Sequence, residues 1–484
     1  MVNDLEATRS LRGWTLTLTS LAFFMVALDA LVVITALPAI HRDLGAGLAT
    51  LQWTVNAYSL AFGAGIITAA SVGDRFGRRR VFATGLALFT AASAACAVAP
   101  TAELLIVARA IQGLGGAMIM PLSLTILTAT FPLARRGVIV GLWGGIGGLA
   151  VASGPLVGGA VTQGLDWHWI FWVNVPIGLA ATILTLRQLV ESRGPASQLD
   201  LLGAGLVSGG AIGIVWALVR ANDVGWGSAE IISALVLGTV LMAAFVAWER
   251  HVPEPMLPMG LFRNRSFAAA NATGFLMTGS LMAAAFLISQ YLQVALGYSP
   301  LSAGLHFLPM TATPLLVAPV AGALSDRIGP RPVLVFGMLL LGGGLGWFAQ
   351  VAGAVSGYQQ LLLPLLVAGT GASMVLPTTA TAALSAVPYT ELGKASGATS
   401  TLQRFGGVFG IASTTAVFEA NGHLASGSFN GGFQSALALA AGLSLLGAIS
   451  ALAVPARRRP AAQPEREAAV LPQPEVAAAA TFNS

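Results

Sequence analysis

Fourteen apolar runs, each close to the ~20 residues that a helix needs to cross a bilayer, follow one another along this chain. They lie at approximately 14–38, 51–72, 81–99, 103–128, 138–162, 169–188, 201–219, 231–249, 267–294, 302–324, 333–351, 359–384, 395–419 and 432–454. Hydrophobic residues fill 56% of the 484 positions and charged residues 9%, where a soluble chain typically carries about 25% charge. Mean hydropathy is +0.79. The expected fold class is an all-α integral membrane protein. The first run is too long for the core of a cleavable signal peptide and reads as a start-transfer span. The single cysteine, Cys96, lies inside an apolar run, which excludes an internal disulfide or a cysteine metal site. Five scattered histidines offer no ligand cluster.

Charge placement sets the orientation. The chain has 24 Lys and Arg against 19 Asp and Glu, a net charge of +5. Place the N-terminus in the cytosol and let the spans alternate. Arg42 and Arg220 then fall outside, Arg109 and Arg404 fall within spans, and the other 20 of the 24 fall in cytosolic segments. Cytosolic loops of membrane proteins concentrate Lys and Arg. The split therefore supports an even number of spans with both termini inside. The basicity is a matter of membrane side, and nucleic acid is not an expected partner.

One loop motif occurs twice. Gly73-Asp74-Arg75-Phe76-Gly77-Arg78-Arg79-Arg80 follows the second run, and Gly322-Ala323-Leu324-Ser325-Asp326-Arg327-Ile328-Gly329-Pro330-Arg331 follows the tenth. The glycine permits a tight turn. The aspartate can cap or brace a helix end, and the arginines stay in the cytosolic headgroup layer. The two aspartates are 252 residues apart (326 − 74). A duplicated six-helix unit fills that distance with two runs to spare, assigned to 201–219 and 231–249. The expected layout is a cytosolic tail at 1–13, a six-helix bundle at 14–190, two linking helices at 191–262, a second six-helix bundle at 263–454, and a disordered cytosolic tail at 455–484.

Asp29 is the sharpest functional signal. An acid inside a span costs roughly 2.5–3.5 kcal/mol on insertion scales, and such residues usually face a cavity or a partner. It reads as a proton or cation site, or as a structural acid satisfied by neighbours. Arg109 in the fourth run is its expected counterpart. By helical spacing Arg109 shares a face with Gln112, Gly113, Gly116 and Met120, and the small residues let another helix approach. At 1.5 Å per residue both charges lie roughly 9–14 Å below the outer surface, close enough in depth to meet. Arg109 also reads as a clamp on backbone carbonyls. In the run at 395–419, Ser396, Thr399, Ser400, Gln403, Arg404 and Gly407 form one polar face, with Arg404 near mid-membrane. Trp53, Asn56 and Tyr58 open the second run, either as an outer aromatic belt or as the wall of a pocket. The candidate substrate cavity is thus Asp29, Trp53, Asn56, Tyr58, Gln112, Met120, Gln403 and Arg404. Glu103 and Glu419, at outer span ends, read as solvated carboxylates, and His306 as a packing histidine or, alternatively, a proton relay.

Taken together these strings resemble the major facilitator superfamily. The repeated loop is similar to its Gly-x-x-x-Asp-Arg-x-Gly-basic-basic signature, although Ala70 opens the first copy where Gly322 opens the second. Arg109, Gln112 and Gly113 match an R-x-x-Q-G motif that the resemblance links to proton transfer. Gly154-Pro155-Leu156-Val157-Gly158-Gly159 resembles the G-P-x-x-G-G antiporter motif, found mainly in exporters of the superfamily. Its plain alternative is ordinary tight packing, since glycines flatten a helix face and proline bends it. The string from Trp167 to Gly178, Asp29 through Ala36-Leu37-Pro38, and Gln293 through Leu305 narrow the likeness to fourteen-span drug:proton antiporters. His168 stands where family members commonly have Arg. The likeness spans essentially the whole chain apart from its tails.

The resemblance implies two six-helix bundles with two extra helices between them, alternating access about a midplane cavity, and proton-coupled export of lipophilic small molecules. Asp29 and Arg109 would couple the protons. Asp74, Arg75, Gly77, Arg78 and Arg79, with Gly322, Asp326, Arg327, Gly329 and Arg331, would act as conformational-switch loops. Gly154, Pro155, Gly158 and Gly159 would bear on direction. A proton-coupled symporter for a metabolite is the alternative. A scaffold without transport has no need of Asp29 and Arg109. The sequence holds no Walker loop, no paired catalytic carboxylates in an aqueous domain and no nucleotide-binding domain. No enzyme and no cofactor are therefore expected, and the proton gradient is the expected energy source. The expected partners are a lipophilic substrate, protons and the lipid of the cell membrane, with the chain working as a monomer.

Overall fold

The computed structural model describes residues 2–194, 200–253, 255, 257–352, 357–387, 391–422 and 429–456. The described regular elements are all helices: α1 (Val2–Leu44), α2 (Leu48–Phe76), α3 (Arg78–Ala97), α4 (Ala102–Thr130), α5 (Leu133–Gly164), α6 (Trp169–Trp172), α7 (Asn174–Gln188), α8 (Leu201–Val224), α9 (Ala229–Glu249), α10 (Arg265–Gln290), α11 (Pro300–Thr311), α12 (Thr313–Ile328), α13 (Pro330–Ala352), α14 (Gln359–Leu384), α15 (Leu392–Asn421) and α16 (Phe429–Leu452). A 3-10 turn, Met259–Arg263, precedes α10, and a π turn, Tyr291–Ala295, continues it.

Every expected run falls on a helix, and two are broken. α6 and α7 share the sixth run, and α11 and α12 share the tenth. The break before α12 has a local cause. Pro314 has no amide hydrogen to give to the preceding turn, and the Thr313 hydroxyl bonds the Met310 carbonyl at 2.8 Å instead. Among the described residues, twelve helical stretches are long and apolar enough to cross a membrane, and α2 makes thirteen if its 50° bend between Ile66 and Thr68 lies within one span. α15 is the remaining run. Lys394, Arg404 and its many hydroxyls make it the most polar of the fourteen. Neighbouring helices cover it instead: α2, α8, α10 and α16 all pack against it. Its hydroxyls turn back onto their own helix, as Thr414 does to Gly410 O at 2.7 Å. α1 is helical from Val2, so the stretch expected as a tail at 1–13 extends the first helix. Of the expected tail at 455–484, only 455 and 456 are among the described residues.

Two bundles result, α1–α7 and α10–α16. α8 and α9 pair with each other, and α8 rests on α2 and α15, one helix from each bundle. The bundles touch along α2 and α15, where Thr401 Oγ1 donates to Gly63 O at 3.1 Å, and on the side away from the repeated loops. There α5 meets α11 backbone to backbone: a Cβ at Gly159 would lie 2.2 Å from the Pro300 carbonyl oxygen, and one at Gly304 2.3 Å from that of Pro155. Leu301 N donates to Gln163 Oε1 at 3.2 Å, and Thr311 Oγ1 donates to Ala152 O at 3.2 Å. From α10, Ser289 Oγ donates to Ile34 O at 3.2 Å; from the π turn, Gln293 Nε2 donates to Thr35 O at 2.9 Å. Toward the repeated loops α5 swings free. A Cβ at Gly144, Gly145 or Gly148 would meet nothing within 4 Å, nor would one at Gly322 in α12. The cleft between the bundles therefore opens on the loop side. In both loops the turn glycine has positive φ, 111° at Gly77 and 90° at Gly329, a conformation that favours glycine.

A direct test follows from the closed side. Cysteines at Gln163 and Leu301, in a Cys96→Ser background, should form a disulfide in the resting protein, read by mass spectrometry of an unreduced digest. Failure to cross-link under oxidation would place the outer halves of α5 and α11 apart.

Candidate functional site

Asp29, in the middle of α1, is 3% exposed, and Arg109 of α4 is fully buried. They form an ion pair, Arg109 Nη1 donating to Asp29 Oδ2 at 2.5 Å. The same Nη1 donates to Gln112 Oε1 at 2.6 Å, and Arg109 Nε donates to the Thr54 carbonyl at 3.1 Å. Gln112 Nε2 donates to Asp29 Oδ1 and to Ser93 Oγ, both at 2.8 Å. Asn174 Nδ2 adds a further bond to Asp29 Oδ1 at 3.1 Å. The guanidinium lies over the Tyr58 ring, 4.2 Å from its centre, with Phe171 beyond it at 5.8 Å. Arg109 Nη2 has no partner among the described residues. Five helices, α1, α2, α3, α4 and α7, thus contribute to one carboxylate and one guanidinium. A buried charge costs several kcal/mol unless it is paired and bonded in this way.

Local sequence explains the convergence. α4 carries Gly113, Gly115 and Gly116 just beyond Gln112. A Cβ at Gly113 would lie 2.3 Å from the Tyr58 carbonyl, and one at Gly115 2.7 Å from Phe89 N. These glycines let α2 and α3 approach closely enough for Thr54, Tyr58 and Ser93 to reach Arg109 and Gln112. The break between α6 and α7 brings Asn174 to the start of a new helix, where Pro176 is tolerated in the first turn.

The structure brings Asp29, Arg109, Gln112 and Tyr58 into this network. It brings Met120 and Arg404 together separately, nearer the cleft. Arg404 is half-buried, its guanidinium lies 4.2 Å from the centre of the Phe62 ring, and Nη2 approaches Met120 Sδ at 4.0 Å. Gln403 lies against Gly274 of α10. Trp53 lines an apolar pocket between α2, α4 and α8, with Leu60, Leu114 and Ile212. Its ring centre lies 5.8 Å from that of Trp216 on α8, and it packs in an apolar cluster with Leu60, Val215 and Val408. Asn56 is fully buried with neither side-chain atom bonded among the described residues, and so is Gln52 one turn earlier. Glu419 is half-buried, with no partner for Oε2 among the described residues, rather than solvated. Glu103 is exposed, and His306 packs between Tyr298 and Tyr358.

In the first loop, Arg78 Nε donates to Asp74 Oδ1 at 2.7 Å. Glu191 was not expected there. It accepts Arg79 N at 2.9 Å and Arg80 N at 3.2 Å, and sits 3.8 Å from both arginine Nε atoms. Gly77 is pressed against the Glu191 carboxylate. Gly194 N donates to Asp74 O at 3.2 Å. The first loop is thereby tied to the segment after α7, within its own bundle. Arg75 is exposed. In the second loop Arg327 is exposed too, and Arg331 Nε donates to Val454 O at 2.5 Å. Of the glycine motif in α5, Gly154 and Gly158 face α1, where a Cβ would meet Leu31 and Thr35, while Pro155 and Gly159 face α11. Asn174, Ser93, Thr54 and Glu191 were missed in the sequence. Asn174 alone had a signal, as the polar position in the string from Trp167 to Gly178.

Comparison with known proteins places the chain in context. A family model described as Major Facilitator Superfamily matches residues 19–260 and 270–482. The tetracenomycin C resistance and export protein of Streptomyces glaucescens is 36% identical over 83% of this chain and 75% of its own length. The puromycin resistance protein of Streptomyces alboniger is 34% identical over 95% of both chains. Among solved structures, a peptide transporter POT in complex with sulfate aligns with a TM-score of 0.67 at 17% identity, over 92% of this chain and 94% of that one. At that identity the likeness concerns the fold.

Gln112 ties both charges together, so Gln112→Ala should leave polar groups of Asp29, Arg109 and Ser93 without a partner. A loss of about 1–3 kcal/mol of stability is expected, read as a lower unfolding temperature of the purified protein. An unchanged transition would show that the network relaxes without Gln112.

Proposed function

The chain belongs to the Major Facilitator Superfamily, and from that membership we propose that it is a cell-membrane exporter of lipophilic small molecules, antibiotics among them, driven by inward proton flow. The observation that carries this reading is the buried acid at mid-membrane, Asp29, bonded by Arg109, Gln112 and Asn174. An ion pair at that depth is expensive, and it does chemistry that a neutral packing contact cannot.

A proton on Asp29 removes the charge that holds Arg109 and turns one acceptor oxygen into a donor. Arg109 keeps Thr54 O and Gln112 Oε1, and its unpartnered Nη2 offers a second direction in which to turn. Protonation therefore loosens α1 from α4 and α7, three helices that meet through that carboxylate. Substrate enters the cleft from the loop side and reaches Met120 and Arg404. Closure of that side then follows release at the α5–α11 seam, where few side-chain bonds have to break. The first loop, held by Asp74–Arg78 and Glu191–Arg79, braces the cytosolic end of its own bundle so that the bundle moves as one piece. The outward direction is supported by the relatives, one of which is named for export, and by the Gly154-Pro155-x-x-Gly158-Gly159 string. Each proton moving inward down 100 mV supplies about 2.3 kcal/mol, which sustains a solute gradient of roughly fortyfold.

Asp29→Asn should abolish proton-driven efflux from proteoliposomes while the protein stays folded, and undiminished transport in that variant would remove Asp29 from the mechanism. Direction is read in everted vesicles. An exporter accumulates substrate when the interior is acidified, whereas a symporter releases it.

A further inference from the structure

A pair of acids, Glu249 buried and Asp200 half-buried, lies far along the chain from Asp29, on the side of the repeated loops. Asp200 caps the start of α8, and Glu249 ends α9. Asp200 Oδ1 accepts Gly203 N at 2.7 Å and Trp248 Nε1 at 2.8 Å. Glu249 is 2% exposed, and its Oε2 accepts Leu257 N at 2.9 Å. The two remaining oxygens, Asp200 Oδ2 and Glu249 Oε1, are buried and receive no donor among the described residues. They converge on one point: a Cβ at Gly203 would lie 2.3 Å from Asp200 Oδ2 and 2.8 Å from Glu249 Oε1.

Two ionised carboxylates placed this way would face each other with no donor between them, which low-dielectric surroundings punish. A single proton held between the two oxygens removes one charge and satisfies both atoms. The carboxyl that keeps the proton donates, and the other accepts. No guanidinium or ammonium forms an ion pair with either acid among the described residues. Lys394, at the start of α15, is exposed and acts on Glu249 only through its field. Arg250 and His251, next in the chain, are exposed, and His251 Nδ1 is bonded to Ala247 O at 2.7 Å. We propose that Asp200 and Glu249 share one proton, a second protonation site of the protein, and that its loss frees the segment joining α9 to the C-terminal bundle.

The consequence follows from proton counting. The folded pair retains a proton that the unfolded chain gives up at neutral pH, so stability is present at mildly acid pH and falls as pH rises. Repulsion between the two carboxylates then pulls Glu249 away from Leu257 N, the bond that fixes the chain on its way from α9 into α10. Glu249→Gln mimics the protonated state, its amide donating to Asp200 Oδ2 with nothing to titrate.

The test uses the full chain purified in detergent, unfolded thermally at about pH 6 and about pH 9, with infrared detection of protonated carboxyl groups. Wild type should lose several degrees on going alkaline and should show a protonated-carboxyl band that persists in Asp29→Asn. Glu249→Gln should lack that band and unfold at nearly one temperature at both pH values. Should Glu249→Gln fail to fold, Asp200→Asn offers the same donor from the other side and should give the same flat profile. Gly203→Ala should push the oxygens apart, weaken the shared proton and flatten the loss. The proposal is overturned if Glu249→Gln and Asp200→Asn keep the wild-type pH profile and band. It is equally overturned if alkaline stability returns only on adding a divalent cation, which would make the pair a metal site.

Discussion

The N-terminal bundle depends on one ion pair kept from water. Asp29 and Arg109 are each buried, and neither would be tolerable alone, because removing one partner leaves the other charge unpaired in a medium that cannot solvate it. That constraint propagates outward. Gln112 and Asn174 complete the Asp29 carboxylate, Thr54 lends a carbonyl to Arg109, and the Tyr58 ring faces the guanidinium. The close approach of α2 and α3 that these bonds require is possible only because α4 presents glycine at 113 and 115. The glycines matter less for flexibility than for distance.

The seam between the bundles obeys a different logic. α5 and α11 touch through backbone, at Gly159 against Pro300 and Gly304 against Pro155, with few side-chain hydrogen bonds across the contact. Such a surface is closely fitted, yet little polar bonding is lost when it parts. Within the first bundle α1 and α4 are held by charge, and between bundles α5 and α11 are held by shape. α8 rests on both α2 and α15, at a second contact between the bundles. The paired carboxyls Asp200 and Glu249 lie at the α8–α9 end where the chain passes on toward α10.

Much of this was legible in the sequence because charge inside a membrane is costly and therefore conspicuous. Asp29 and Arg109 could be matched in depth from a rise of 1.5 Å per residue, and the structure joins them. Neutral polar residues carry no such flag. Ser93 and Thr54 sit in ordinary helical surroundings, and Thr54 acts through its carbonyl, which no sequence pattern reveals. Glu191 and the first loop are over 110 residues apart, and nothing in either segment names the other. Trp53 stayed ambiguous because an aromatic at a span end fits a belt, a pocket or a partner helix equally well. Only the position of α8, set by packing, decides for Trp216. Glu249 and Glu419 were obscured by their positions at span ends, where solvation is the default and burial depends on neighbouring helices.

The two bundles also show what a duplicated unit keeps and what it changes. In α4, Gly113 meets the backbone of α2 and Gly115 that of α3. In α14, Gly369 meets the Met310 carbonyl of α11 and Gly371 meets Leu341 N of α13, in the same order and at the same spacing. The close-packing device survives in both copies. The charge does not. Where α1 offers Asp29 to Asn174 of α7, α10 offers Ser280 to Ser444 of α16, a hydroxyl pair at 2.6 Å with Ser280 also donating to Ala440 O at 2.7 Å. A hydroxyl pair is satisfied as it stands and has no proton to give up near neutral pH. Helix packing is thus a property of the repeat, while the ionisable centre belongs to one copy. A rearrangement driven by the Asp29 charge would then begin in the N-terminal bundle and reach its partner where the two bundles touch.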